Sequence, residues 1–243
     1  MILAGFDTSL PTTSACVIRA DGRSSCTPPP PVERLLGPAR HSAELLPELE
    51  RRLAEAETRW NDLGSIAVGI GPGTFTGLRI GVATARTLAQ ALRIGVRPVS
   101  SLEALAAGAA AAHTDEARGW PVLALIDARR HQVFAALYEV GEGSVRSIWE
   151  PAVLDPDALM KRLTALSRPT VCAGDWALRF RRELGGAGAF VPSPESGTHS
   201  VSALHVCKLA LGVESVAPEE VRPTYLRLPD AEINRQLAEE RAR

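Results

Sequence analysis

Residues 67–92, AVGIGPGTFTGLRIGVATARTLAQAL, run without a break from a strand through a glycine turn into a long apolar helix. Ile66 to Ile70 reads as an apolar strand, and Gly71-Pro72-Gly73 as a turn. The helix then starts near Thr74 or Phe75. The three glycines and one proline within Gly71–Gly77 supply the backbone angles of a tight strand-to-helix connection. Thr74 or Thr76 can cap the helix start, where unpaired amides and the dipole also favour an anion. One face of the helix carries Leu78, Val82, Ala85, Ala89 and Leu92 at core spacing. A second face carries Gly77, Gly81 and Ala85, spaced by four, which would let another helix approach the backbone. A helix apolar on more than one face is buried on more than one side. It either lies inside a large core or awaits a partner.

Around this unit the chain alternates strands and helices. Residues 2–6 and 15–20 read as a strand pair, Asp21-Gly22 as a hairpin turn, and the four prolines at 28–31 as its end. Leu45, Leu49 and Leu53 mark an amphipathic helix, with Leu46 beside them; Pro47 predicts that it starts late or kinks. Beyond a strand at 96–99, the pattern predicts a helix over 102–112 and strands over 122–126, 132–140 and 145–149. Helices over 155–166, 179–184 and 200–211 follow, with a short strand at 170–173. Residues 185–197 read as a loop, 222–228 as an extended segment, and the last 14 residues as a charged, frayed or helical end. Such alternation predicts an α/β protein.

With 27 basic and 28 acidic residues and no basic run, the chain is poorly suited to gripping a nucleic-acid backbone alone. Its four cysteines form neither a Cys-x-x-Cys pair nor a zinc spacing, so a reduced cytoplasmic protein is expected. No signal peptide and no membrane span is expected either.

Four stretches, spread from one end of the chain to the other, carry a family resemblance. They are Ala4-Gly5-Phe6-Asp7-Thr8-Ser9, the segment GIGPGTFTGLRIG over 69–81, Leu125-Ile126-Asp127-Ala128-Arg129, and Arg222-Pro223-Thr224-Tyr225-Leu226-Arg227. Together they resemble the bacterial TsaB (YeaZ) family, relatives of the TsaD enzymes that modify tRNA. The resemblance implies a two-lobed α/β protein of the actin/hexokinase-like (ASKHA) nucleotidyl fold. Residues 1–100 would form a lobe carrying the interface helices, and 101–243 a shortened lobe whose last segment can pack back on the first.

In actin-like ATPases the first hairpin holds metal and phosphate with an acid and hydroxyls. Here Asp7, Thr8 and Ser9, and in the second turn Gly71, Gly73 and Thr74, are either a vestige of such phosphate loops or polar turns capped by their own hydroxyls. The glycine turn is neither a Walker loop nor a dinucleotide fingerprint. The catalytic relatives carry an Asn-His-Leu-Glu-Gly-His stretch whose two histidines bind metal. This chain reads Ser100-Ser101-Leu102-Glu103-Ala104-Leu105, with Ser101 and Leu105 at the histidine positions. Leucine cannot ligate a metal and a lone hydroxyl is a poor ligand for iron or zinc, so neither a metal nor a cofactor is expected. The five histidines, at 41, 113, 131, 199 and 205, are scattered. No nucleophile motif supports a peptidase. Asp127 and Arg129 could serve as an acid/base pair, but after a buried strand and before a hairpin they read as an ion pair or turn cap. Arg79 and Arg86 read either as snorkelling surface residues or as interface anchors.

The resemblance further implies a non-catalytic subunit that binds and activates a TsaD-type paralogue as a heterodimer, for threonylcarbamoylation of the adenosine next to the anticodon in tRNAs reading codons that begin with A. A TsaC-type enzyme would supply threonylcarbamoyl-AMP, a TsaE-type ATPase would reset a ternary complex, and tRNA would be met only through the complex. Helix faces and resemblance together assign the partner surface to His41, Leu45, Leu46, Leu49, Gly77, Arg79, Ile80, Gly81, Thr84 and Ala85. Self-pairing of that surface would give a homodimer. The alternative is an actin-fold, ATP-dependent kinase or ATPase using Asp7 and the Gly71–Gly77 loop.

Overall fold

A computed structural model describes residues 1–112, 117–141 and 144–227. His113 and the charged end beyond residue 227 lie outside these residues. Among the described residues nine strands form two sheets, and the second sheet repeats the plan of the first. In the first, β1 (Leu3–Asp7), β2 (Ser14–Ile18) and β3 (Ser24–Cys26) form an antiparallel meander. Then β4 (Ser65–Gly69) joins β1 in parallel and β5 (Gly95–Val99) joins β4, giving the order β3-β2-β1-β4-β5. In the second, β6 (Val122–Arg129), β7 (Gln132–Gly141) and β8 (Ser144–Leu154) form the meander, and β9 (Val171–Ala173) joins β6 in parallel. The second sheet has no counterpart of β5 among the described residues.

Alternating side chains divide the molecule into layers. Ala4 and Phe6 of β1, Ile66 and Val68 of β4, and Val96 of β5 pack against α2 (His41–Glu55) and α3 (Phe75–Leu92). The opposite face, with Leu3, Cys16 and Ala67, packs against α4 (Ser101–Ala111) and α8 (Ala203–Ala210). Those two helices also meet Val122, Ala124 and Ile126 of the second sheet. Leu123 and Leu125 face α5 (Pro156–Leu166) and α6 (Asp175–Arg179), with α7 (Arg181–Gly186) beyond. The short α1 (Val32–Leu35) precedes α2. Burial on both faces is why β4 and β6 read as continuous apolar runs rather than alternating ones. After α8 the chain returns to the first sheet, where Val216 bridges Val96 and the Thr224 amide donates to the Ile70 carbonyl at 2.7 Å.

Several local expectations are corrected. Helix α2 begins at His41 and runs through Pro47 to Glu55, so the proline does not delay its start. Thr74 is the N-cap residue of α3, yet its side chain makes no capping bond. Cys16 and Cys26 stand opposite one another in β2 and β3 and form a disulfide, against the reduced state expected for all four cysteines; Cys172 and Cys207 are free and buried. Ten residues of sequence separation hid a cross-strand neighbour pair.

Candidate functional site

The two glycine and hydroxyl turns singled out by sequence meet, and they close on each other. Asp7 is 1% exposed at the end of β1. Its Oδ1 accepts from the Ser9 amide at 2.7 Å and the Ser9 hydroxyl at 2.5 Å, and its Oδ2 accepts from the Ser101 hydroxyl at 2.7 Å. Ser101 in turn accepts from the Gly71 amide at 3.2 Å. Burial pushes the Asp7 carboxyl above the usual range, opposed by these same hydrogen bonds. Thr8 donates to the Gly77 carbonyl at 2.8 Å, and the Thr74 amide donates to the Ser9 carbonyl at 2.9 Å. Gly71 holds φ at +109°, a conformation that favours glycine. The hydroxyls of the first hairpin are therefore spent on the chain's own backbone and side chains, as in a self-capped polar turn. Leu105, where the resemblance would place the second histidine, lies in the core between the sheets. Among the described residues no group of three His, Cys, Asp or Glu side chains could hold a metal ion.

The glycine-alanine stripe of α3 is also occupied from within. A Cβ on Gly81 would stand 2.4 Å from Thr8 Oγ1, and one on Gly77 would stand 2.0 Å from the Thr8 carbonyl. Gly77, Gly81 and Ala85 are buried, so the open ridge expected for a partner helix is filled by the β1–β2 turn. Leu45 and Leu49 likewise belong to the core beneath α2. Of the residues assigned to a partner surface, Leu46 (47% exposed) and Arg79 lie outside, while Ile80 and Thr84 are half-buried. Ala83 and Thr87 extend the exposed face of α3.

Sequence reasoning missed a cavity of about 550 Å³ beside these turns. It is bounded by the first residues of α2 and α3, the β6–β7 turn and the closing motif. Phe75 and Tyr225, 39% and 42% exposed, flank its mouth with ring centroids 5.2 Å apart. The Arg79 guanidinium lies 5.2 Å over the Phe75 ring. His41, 2% exposed, places Nδ1 2.9 Å from the Thr13 hydroxyl, and its Nε2 has no hydrogen-bond partner among the described residues. Burial lowers its pKa, against the raising effects of Glu44 and the Leu10 carbonyl. Asp127 and Arg129 form an ion pair at 3.3 Å, and the Arg227 guanidinium donates to the Arg129 carbonyl at 3.5 Å. The Asp127–Arg129 and Arg222–Arg227 stretches were visible as motifs; nothing in their spacing indicated that they enclose one space.

Asp175 stands behind the β6–β7 turn. It is buried and accepts from the Asp127 amide at 3.0 Å and the Trp176 amide at 2.9 Å. Burial raises its pKa from 3.8 to about 6, with Asp127 adding to the shift and Arg179 opposing it. The folded value lies above the unfolded one. This carboxyl's stabilising contribution is therefore full below about pH 4 and lost as the pH rises through about 6. Asp175→Asn keeps an acceptor for both amides and removes the charge. Urea denaturation should show a gain of at most about 3 kcal/mol at pH 8 and almost none at pH 4.

Comparison with known proteins gives a consistent picture. Residues 37–169 match the family model of TsaD, tRNA N6-adenosine threonylcarbamoyltransferase. The chain is 32% identical to the Bacillus subtilis tRNA threonylcarbamoyladenosine biosynthesis protein TsaB over 79% of its own length and 82% of that protein. It is 30% identical to the Escherichia coli protein of the same name, over 79% and 83%. A Pseudomonas aeruginosa crystal structure, of an uncharacterized protein with similarity to peptidase YeaZ, superposes with a TM-score of 0.74 and 28% identity. It covers 93% of this chain and 99% of that one. The two-sheet α/β architecture fits an actin-like fold.

Proposed function

Because the chain belongs to the TsaB (YeaZ) family, we propose that it serves tRNA threonylcarbamoyladenosine biosynthesis as a non-catalytic subunit of the ASKHA fold. It binds and activates a TsaD-type paralogue as a heterodimer, a TsaE-type ATPase acts on the assembly, and tRNA is met through the complex. The outward face of α2 and α3 carries the reading. There Leu46 is exposed, and Ala83 leaves room for a partner helix to approach. Exposed apolar side chains beside small ones suit helix-on-helix docking.

The docking face therefore differs from the one expected from sequence. It consists of the residues that point away from the first sheet, with Leu46, Arg79 and Ala83 at its centre and Ile80 and Thr84 at its margin. The enzyme alternative needs Asp7 at a ligand, and this carboxylate is already bonded by Ser9 and Ser101. Light scattering after size exclusion, with the protein alone and mixed with its own organism's TsaD-type paralogue, tests the proposal. A peak at the heterodimer mass is expected. Separate peaks, with ATP and the TsaE-type protein also present, would overturn it.

A further inference from the structure

We propose that the cavity at the N-terminal ends of α2 and α3 receives an acidic side chain of the docked paralogue. The inference rests on the docking proposed above and adds the chemistry of the contact. Two helices of 15 and 18 residues begin at the wall of this cavity, and no side chain caps either. Their first-turn amides and the positive ends of their dipoles favour an anion at this wall. His41 supplies an independent indication. It is almost fully buried, lines the cavity, and leaves Nε2 without a partner among the described residues. When the Thr13 hydroxyl donates to Nδ1, Nε2 carries the proton and is a donor.

The charge balance points the same way. Among the described residues Asp127 is the only carboxylate lining the cavity, and Arg129 at 3.3 Å and Arg179 at 3.9 Å already share it. Arg79 adds a further cation at the mouth. The walls are apolar, with Ile80 and Phe134, so an anion that enters gains little from water. Phe75, Thr76 and Ile80 line the cavity and also belong to the end of the docking helix. A partner lying along α2 and α3 thus reaches the mouth without a change of direction. A carboxylate on that partner would meet Arg129 and the two helix starts together.

Titration calorimetry with the purified paralogue, between about 50 and 300 mM salt, tests this with the full chain and its Arg129→Gln variant. The side chain of Arg129 is half exposed, so the variant should keep its thermal stability. The expected result is at least a ~10-fold weaker complex at low salt and a shallower salt dependence. Equal affinity with parallel salt dependence would overturn the inference while leaving the docking itself intact. Absence of a wild-type complex would remove the docking and the inference with it. ADP titrated into the isolated chain supplies the remaining comparison. Binding that Arg129→Gln abolishes would assign the cavity to a nucleotide and overturn the acidic-side-chain assignment.

Discussion

Gly81→Arg is expected to unfold the first sheet and the helices packed on it rather than to detach a partner from a folded chain. The first atom of any side chain at this position would lie 2.4 Å from Thr8 Oγ1. That hydroxyl is held in place by its bond to the Gly77 carbonyl. The turn that carries it is fixed again by the Thr74 amide on the Ser9 carbonyl and by the Asp7–Ser9–Ser101 bonds. Nothing there can move alone. Gly81→Ala already overpacks the contact and should lose about 1–3 kcal/mol; arginine adds a charge in a buried position and should lose about 4 kcal/mol or more. Set against a typical total of roughly 5–15 kcal/mol, that is enough to leave much of the protein unfolded. Gly185→Ala, in α7 with open space around it, should be neutral or slightly stabilising and serves as the control. Circular dichroism melts of the three variants check the series. A Gly81→Arg protein that melts like the wild type would contradict the packing described.

Leu46→Asp combined with Ala83→Arg is expected to do what the glycine substitution cannot. Both positions are exposed on the outward sides of α2 and α3, so neither change disturbs the core beneath. Surface changes of this kind normally alter stability by about 0.5 kcal/mol or less. At the centre of a helix-on-helix interface the same pair introduces a desolvated charge and a bulky side chain where close approach is needed. Losses at such positions run from about 2 to 4 kcal/mol or more each, so the complex should weaken by at least ~1000-fold. Calorimetry against the TsaD-type paralogue measures the loss and a melt confirms the unchanged fold. Full affinity in the double variant would move the interface away from this face.

The three glycine variants and the surface pair also mark what could be read from residues alone. Strand, turn and helix over 66–92 were legible because apolar spacing and glycine punctuation act locally. The side from which Gly77, Gly81 and Ala85 are approached was not. Four-residue spacing of small side chains announces a close neighbour, and here it is Thr8, 69 residues earlier in the chain. The disulfide escaped for a similar reason, since Cys16 and Cys26 become neighbours only through the β2–β3 register. Ser101 was recognised as the wrong residue for a metal site. Its bond to Asp7, 94 positions away, explains what it does instead. The cavity gathers residues from α2, α3, the β6–β7 turn and the closing segment, and no periodicity within any one of them reports the others.

Formation of the modified nucleoside in a reconstituted system tests the central claim most directly. The TsaD-type paralogue, the TsaE-type ATPase, threonylcarbamoyl-AMP and an unmodified tRNA reading codons that begin with A would be combined with and without this chain. Threonylcarbamoyladenosine would then be quantified by mass spectrometry of the digested tRNA. Product is expected when the chain is added, and little product without it or with the Leu46→Asp, Ala83→Arg variant in its place. Equal product whether or not the chain is present would contradict the central claim.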